Sequence, residues 1–387
     1  MTAEELIEML PEQVFHEIGQ ATHVDYKVQK LHGKLMFNLL LYGMLEEERL
    51  SLRTLEDTFH DPKFKFFFGL QPDSTIRYNS LSDRLATMPV NYFAEIYQVV
   101  YHIFSTHYDR RAALKYHIQR VDSTMVCEEA RKLQAGMSVG RKKDCKKQIK
   151  ITLSLTDMFP SSFELFTSQS ALSEDIAMPP ELFKQVVQGR ENTIATFDRG
   201  LTSRKVYAQF NEQGKGFVTR LKEKSVYEVL EETAGIAGRV YGNLTYIAQQ
   251  KVRFTQCKEH HFRLLIAMNE EGQRLLFLSN CWELSFTELI DIYRKRWDIE
   301  VFFRFLKQEL NLSHLVSMNE NGLQIIIYMT LIVAMLLLVY KKKNQYGYKT
   351  AKRRFRIELN SYIIALIIES CGGDSRLWLN TLHDVFG

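Results

Sequence analysis

Tyr293, Arg296, Glu300 and Lys307 stand at offsets 0, 3, 7 and 14 within SFTELIDIYRKRWDIEVFFRFLKQEL, residues 285–310. At about 100° per residue they fall within about 60° of one another on one edge of a helix. A phenol, a guanidinium, a carboxylate and an ammonium then line about 21 Å, at 1.5 Å per residue. Such an edge can grip phosphate, bidentately through Arg296 and as a point charge through Lys307. Tyr293 adds a hydrogen-bond donor, and Glu300 a hard oxygen ligand of the kind Mg2+ prefers. The same spacing also suits a solvated face carrying ion pairs. The element that must hold these groups is predicted as one helix from Ser285 to Leu310. Ser285 with Glu288 forms a capping box at its start, and no Gly or Pro interrupts it. Ile292, Ile299, Phe303, Leu306 and Leu310 form a neighbouring stripe for burial.

Tyr293-x2-Arg296-x3-Glu300-x6-Lys307 resembles the Y-R-E-K motif of the insertion-sequence-four family of bacterial D-D-E transposases. The run YRKRWDIEVFFRFLK is similar to that family's Tyr-x-x-Arg-Trp-x-Ile-Glu-x-x-Phe pattern. The resemblance implies that Glu300 is the third acidic residue of a catalytic set, with two aspartates upstream, each on a strand. Asp122 in VDST and Asp198 in FDRGLTS resemble the family's first and second aspartate motifs. Alone, an aspartate at a strand end is most often a turn residue. The implied set, Asp122, Asp198 and Glu300, is both catalytic and metal-binding, with Mg2+ as the cofactor and Mn2+ as a substitute. Two such ions about 3.5–4 Å apart can serve both ends of an in-line displacement at phosphorus. Without metal, three clustered carboxylates repel and raise some pKa values, so the site is expected to hold a proton or to be partly disordered.

With 387 residues, the chain is expected to form two or three domains. Charged residues at 25% and hydrophobic ones at 45% are ordinary for a globular protein, and the net charge of +4 does not by itself name a nucleic-acid partner. Five scattered cysteines without a CxxC pair argue against a zinc site or a disulfide framework and fit a reducing cytosol. Local basic clusters carry the charge argument: Arg141, Lys142, Lys143, Lys146, Lys147 and Lys150, then Arg199, Arg204 and Lys205. They suit a phosphate backbone, or plain solvation.

Residues 1–112 read as a helical domain, with helical periods in 12–20, 28–45, 52–59 and 92–103 and N-caps at Ser51 and Asn91. The resemblance implies that this domain binds the element's terminal inverted repeats; Arg53, Arg77 and Arg84 are its candidate contacts. Residues 113–218 read as the first part of an α/β core. Strands are predicted over 115–126, 148–155, 162–166 and 192–197, and helices over 179–188 and 202–210. This order is compatible with a ribonuclease-H-like fold, and the resemblance favours one. Asp122 to Asp198 spans 76 residues and Asp198 to Glu300 spans 102. The second gap is filled by a β-rich insertion, 219–284, ending in a hairpin that turns at Asn269–Gly272. Relatives with such an insertion can cleave through a DNA hairpin with a base stacked on a tryptophan. Here Leu275 stands at about that place, and Trp282, a little later, is either a stacking ring or a core tryptophan.

Residues 285–340 complete the core. IIIYMTLIVAMLLLVY, 325–340, is apolar and followed by three lysines. At 16 residues it covers about 24 Å, short of a roughly 30 Å bilayer core. It is expected to be a buried helix on the sheet's face, with no membrane involved. Residues 341–387 bring a basic, aromatic stretch, 341–356, suited to DNA or to a solvated linker, before a last helix over 359–370. The implied protein is a cytoplasmic, nucleoid-associated homodimer acting on double-stranded DNA at paired element ends and a target. The competing reading is a DNA-binding descendant that no longer cuts.

Overall fold

The apolar periods of the first 108 residues form seven helices among the described residues. They are α1 (Ala3–Glu8), α2 (Glu12–Thr22), α3 (Gly33–Glu46), α4 (Leu52–His60), α5 (Pro62–Phe67), α6 (Tyr78–Thr87) and α7 (Val90–Tyr108). The computed structural model describes residues 1–10, 12–108, 115–129, 133, 135–139, 146–184, 192–234 and 240–376. Ser51 caps α4 as expected, accepting from the Thr54 amide at 3.1 Å. Asn91 does not cap α7; it lies inside that helix, which begins at Val90.

The strands are β1 (His117–Glu129), β2 (Met137–Val139), β3 (Lys146–Thr156), β4 (Phe159–Phe166), β5 (Thr193–Phe197), β6 (Gly216–Leu221), β7 (Glu228–Ala234), β8 (Val240–Tyr241), β9 (Leu244–Phe254), β10 (Cys257–Asn269) and β11 (Arg274–Ser279). β4, β3 and β1 pair antiparallel, and β5 and β6 join β1 in parallel. Three antiparallel strands followed by two parallel ones, in the order β4-β3-β1-β5-β6, is the ribonuclease-H-like arrangement expected from the element order. The β-rich stretch does not form a separate sheet. β11 pairs with β6, and β10, β9 and β7 continue outward, so the core sheet and the insertion share hydrogen bonds. The hairpin turns where expected, at Asn269 to Gly272, and Gly272 takes the positive φ of 77° that the turn requires.

Between β4 and β5 lie the short helices α8 (Glu174–Ala177) and α9 (Pro179–Leu182), and after β5 comes α10 (Arg204–Glu212). The helix expected over 179–188 is thus only one turn among the described residues; 185–188 lie outside them. Then follow α11 (Phe286–Arg294), α12 (Trp297–Glu309), α13 (Glu320–Asn344) and α14 (Tyr348–Ser370). One face of the sheet is closed by Val206, Tyr207 and Phe210 of α10, the other by Phe286, Leu289 and Ile290 of α11.

α13 corrects two expectations. At 25 residues it is long and apolar enough to cross a membrane, so a length argument does not exclude a span. Its surroundings decide, because every residue from Leu331 to Tyr340 is buried within the protein. Nor does it lie mainly on the sheet: it packs chiefly on α7, with α3, α6 and α14 around it and β4 at one side. A helix that is apolar all round needs partners all round, and a sheet face covers one side only. Asn321 fixes it by donating to the Leu85 and Met88 carbonyls, both at 2.9 Å. The stretch 341–356 is not a linker; most of it is the end of α13 and the start of α14. The N- and C-terminal helices therefore share one core, joined to the sheet where Tyr97 donates its hydroxyl to the Pro160 carbonyl.

Candidate active site

β1 and β5 run in parallel register from His117↔Thr193 to Val121↔Phe197. Asp122 and Asp198 are next in that register. Asp122 lies within β1, which continues because β3 pairs its other side at Asp122↔Leu153. Asp198 is the first residue past β5, where its Oδ2 accepts from the Gly200 amide at 3.0 Å and turns the chain. Neighbouring strands are about 4.8 Å apart. The two aspartates therefore stand side by side at the C-terminal edge of the parallel pair, the edge where α/β sheets place chemistry.

Burial pushes the Asp122 carboxyl up to about 7. The Ser123 amide, donating to its Oδ1 at 2.8 Å, and the charge of Arg296 oppose this, while Glu174 and Asp198 add to it. Repulsion between carboxylates contributes as the sequence predicts, but burial is the larger cause.

The Glu300 segment differs from expectation in one respect: the helix is broken. Its capping box is present, with Ser285 Oγ accepting from the Glu288 amide at 3.2 Å and Glu288 Oε2 accepting from the Ser285 amide at 2.8 Å. α11 then ends at Arg294 and α12 begins at Trp297. At the break, Arg120 Nε of β1 donates to the Lys295 carbonyl at 2.7 Å. Arg120, only 4% exposed, also donates to the Ile118 carbonyl at 3.1 Å and pairs with Asp298 at 3.1 Å. The apolar stripe survives, since Ile292, Ile299, Phe303, Leu306 and Leu310 are all buried.

Arg296 is the hub of the site. Its Nη1 donates to Glu300 Oε1 at 2.6 Å, and its charge acts on both Asp122 and Asp198. Its guanidinium carbon lies 5.8 Å from the Tyr293 ring centre, and Tyr293 meets Phe277 edge-on at 5.4 Å. Burial raises the Tyr293 hydroxyl, which keeps it a proton donor. Among the described residues, the Nε groups of Arg296 and of Arg220, on β6, are buried without a hydrogen-bond partner. Orphaned buried donors are costly, and two guanidiniums that retain one suit an anion from outside. Lys307 donates to the Met125 carbonyl of β1 at 3.2 Å, tying α12 to the strand that carries Asp122.

Among the described residues, no three His, Cys, Asp or Glu side chains stand close enough together to hold a metal ion, and the Glu300 carboxylate is engaged by Arg296. The donor chemistry fits a hard divalent cation all the same. The three candidate ligands would offer carboxylate oxygens only, and a cation could take the place of the proton that burial favours on Asp122.

Other expected contacts scatter. Arg199 is exposed, while Arg204 lies over the rings of Tyr207 and Phe254, at 5.2 and 4.3 Å. Lys150 is not a surface cation; it is 2% exposed and paired with Glu174 at 2.7 Å. Arg141, Lys142 and Lys143 lie outside the described residues. Trp282 is 45% exposed, which removes its core reading. Leu275, at the place of the stacking tryptophan, is half-buried. Arg84 is largely structural, donating to the Leu31 and Val24 carbonyls at 2.9 and 2.6 Å. Sequence reasoning missed Arg120, Arg220 and Trp297, an exposed ring 6.0 Å from the Arg296 guanidinium. Arg120 had a signal, a charge two residues before Asp122 on the same face of the strand.

The family described as Transposase DDE domain matches residues 118–336, more than half of the chain and inclusive of all three carboxylates. A protein of Synechocystis sp. named as a transposase for insertion sequence element IS4SA is 32% identical over 149 residues, 38% of this chain and 41% of that protein. One of Geobacillus stearothermophilus, named as a transposase for element IS5377, is 30% identical over 118 residues, 30% of each. The matches thus span about two fifths or less of these relatives. The cryo-EM structure of the piggyBac transposase synaptic complex with hairpin DNA is similar at a TM-score of 0.48 and 12% identity, over 95% of this chain and 82% of that one. On the strength of the domain match, which runs from β1 into α13 and includes Asp122, Asp198 and Glu300, the chain belongs to the DDE-domain transposase family.

Proposed function

We propose that this chain is an insertion-element transposase. In this reading it binds the terminal inverted repeats of its element as double-stranded DNA, cuts them, and joins the freed ends to target DNA as a homodimer on paired ends, within the nucleoid. The observation that carries the reading is the meeting of Asp122 and Asp198, adjacent in strand register, with the Arg296–Glu300 pair at one end of the sheet. Asp122, Asp198 and Glu300 would hold Mg2+, or Mn2+ in its place. When bound, the metal activates a water or 3′-hydroxyl and stabilises the leaving oxygen. Glu300 would be freed for this when Arg296 turns from carboxylate to phosphate. Arg296 and Arg220 would clamp the scissile phosphate with donors that lack partners among the described residues. Tyr293 would donate its hydroxyl beside them. Lys307, held at Met125, would set the distance of α12 from β1 and place positive charge along the DNA path. Arg199 and Lys205, exposed after Asp198, would meet the backbone further out, with Arg204 packed behind them. Exposed Trp282 is assigned the stacking of an unpaired base.

We assign residues 1–112 to recognition of the element ends, 113–218 and 285–340 to the catalytic core, 219–284 to the β-rich insertion and 341–387 to the C-terminal helical part. Arg77, 85% exposed, stands on the rim of a groove with Lys27 and Lys30 and supports an end-binding role for the first part. The test is cutting of DNA that carries the element's ends, with and without divalent metal, by the wild type and by Asp122→Asn, Asp198→Asn and Glu300→Gln. Specific binding with no metal-dependent cutting by the wild type would refute the proposal.

A further inference from the structure

The strand ladder that sets Asp122 beside Asp198 ends at Val121↔Phe197, one residue short of both. Something else must fix the loop that carries Asp198. The single turn of α8 does this with two adjacent carboxylates that reach in different directions. Asp175 Oδ1 accepts from the backbone amides of Thr202 at 2.6 Å and Ser203 at 2.8 Å, and its Oδ2 accepts from the Thr202 hydroxyl at 2.9 Å. Three donors on one carboxylate hold the segment that follows Asp198 at a single distance from α8.

Glu174 reaches the other strand. Its Oε2 accepts from the Ser123 hydroxyl, next to Asp122, at 2.9 Å. Its Oε1 meets the buried ammonium of Lys150 at 2.7 Å, and that ammonium also donates to the Leu172 carbonyl at 3.0 Å. A carboxylate already neutralised by a buried lysine is not a free ligand, so Glu174 acts through Ser123. Gly200 marks how closely the parts fit. A Cβ there would stand 3.2 Å from Glu174 Cγ and 3.4 Å from Asp198 Oδ2.

We infer that Glu174 and Asp175 form a positioning clasp that sets the spacing of Asp122 and Asp198 for metal binding. The inference rests on the reading of those two aspartates as the metal-binding pair. Asp175 bears the larger part, because it supplies three of the hydrogen bonds that hold this segment, beside the turn at Asp198 and the Tyr207 hydroxyl donating to the Leu201 carbonyl at 2.7 Å.

The test is Mn2+ binding to the full chain without DNA, by calorimetry and by the electron paramagnetic resonance of free Mn2+. Wild type, Asp175→Ala, Asp175→Asn, Glu174→Gln and Asp122→Asn are compared, each with a thermal melt. Asp175→Ala should weaken Mn2+ binding by about 10- to 100-fold, the usual range for a residue that orients a metal ligand. Asp175→Asn keeps one oxygen for the two backbone amides and should recover most of that loss. Glu174→Gln carries the comparison if the alanine variant does not fold. Glu174→Gln should lower affinity less than Asp175→Ala. Loss of binding in Asp122→Asn together with wild-type affinity in Asp175→Ala or, where that variant does not fold, in Glu174→Gln, would overturn the clasp. Wild-type Mn2+ affinity in Asp122→Asn would take down the aspartate reading itself, and the clasp with it.

Discussion

Replacing Arg120 with methionine keeps the length of the side chain and removes the guanidinium that joins β1 to the α11–α12 break. Three contacts go with it: the Lys295 carbonyl at 2.7 Å, the Ile118 carbonyl at 3.1 Å and Asp298 at 3.1 Å. Hydrogen bonds involving a charged group are worth about 1.5–3 kcal/mol each, and breaking a buried ion pair costs about 3–5 kcal/mol. Asp298 is 37% exposed and regains water, which discounts the pair. Removing the charge also ends the burial penalty that holds the Arg120 pKa down. The net loss is then about 2–4 kcal/mol, a large share of the roughly 5–15 kcal/mol that holds a folded protein together. Equilibrium urea denaturation of wild type and Arg120→Met at pH 7 reads it directly. Asp298→Asn is the control and should cost less than about 1 kcal/mol, since the carbonyl bonds remain. Because Arg120 sets Arg296 and Glu300 against Asp122, cutting should also fall by more than the folded fraction does. A stability loss under about 1 kcal/mol, or full cutting by a folded Arg120→Met protein, would refute this reasoning.

Metal-free stability should depend on pH through Asp122. Its folded pKa is raised from 3.8 to about 7, so the native state holds a proton that the unfolded chain releases. The stability this gives is complete below about pH 4 and is lost as pH rises through about 7, by at most about 4 kcal/mol at 1.36 kcal/mol per unit. Asp122→Asn should remove that slope and be the more stable protein at pH 8; an unchanged slope in denaturation curves would contradict the burial argument. Ser285→Ala should cost about 1 kcal/mol in urea denaturation through loss of the α11 cap, and no change would mean the cap contributes nothing. Met335→Ala, in the fully buried part of α13, should cost about 2–5 kcal/mol. A loss below about 1 kcal/mol would show that this helix is not enclosed as described.

Much of the site was legible because it rests on local pattern. The capping box at Ser285, the buried stripe from Ile292 to Leu310 and the strands bearing Asp122 and Asp198 are all written at helical or strand period. The break at Lys295 was not legible. Both residues there favour helix, and the guanidinium that binds the Lys295 carbonyl comes from position 120, a partner no window of periodicity can see. The same holds for Lys150, which reads as one of a basic run and is buried because Glu174 awaits it. Glu174 and Asp175 sit on a single turn too short to show any period. α13 was visible as an apolar run, but its polar ends hid its length and its composition could not say which elements would surround it.

The most direct measurement is cleavage of a plasmid carrying this gene with its native flanks, in Mg2+ and in EDTA, by the wild type and by Glu300→Gln. The account predicts cuts at both flanks that need Mg2+ and disappear in Glu300→Gln, while both proteins bind the flanks equally. Equal binding with no cutting by either protein, or cutting that survives Glu300→Gln, would contradict it.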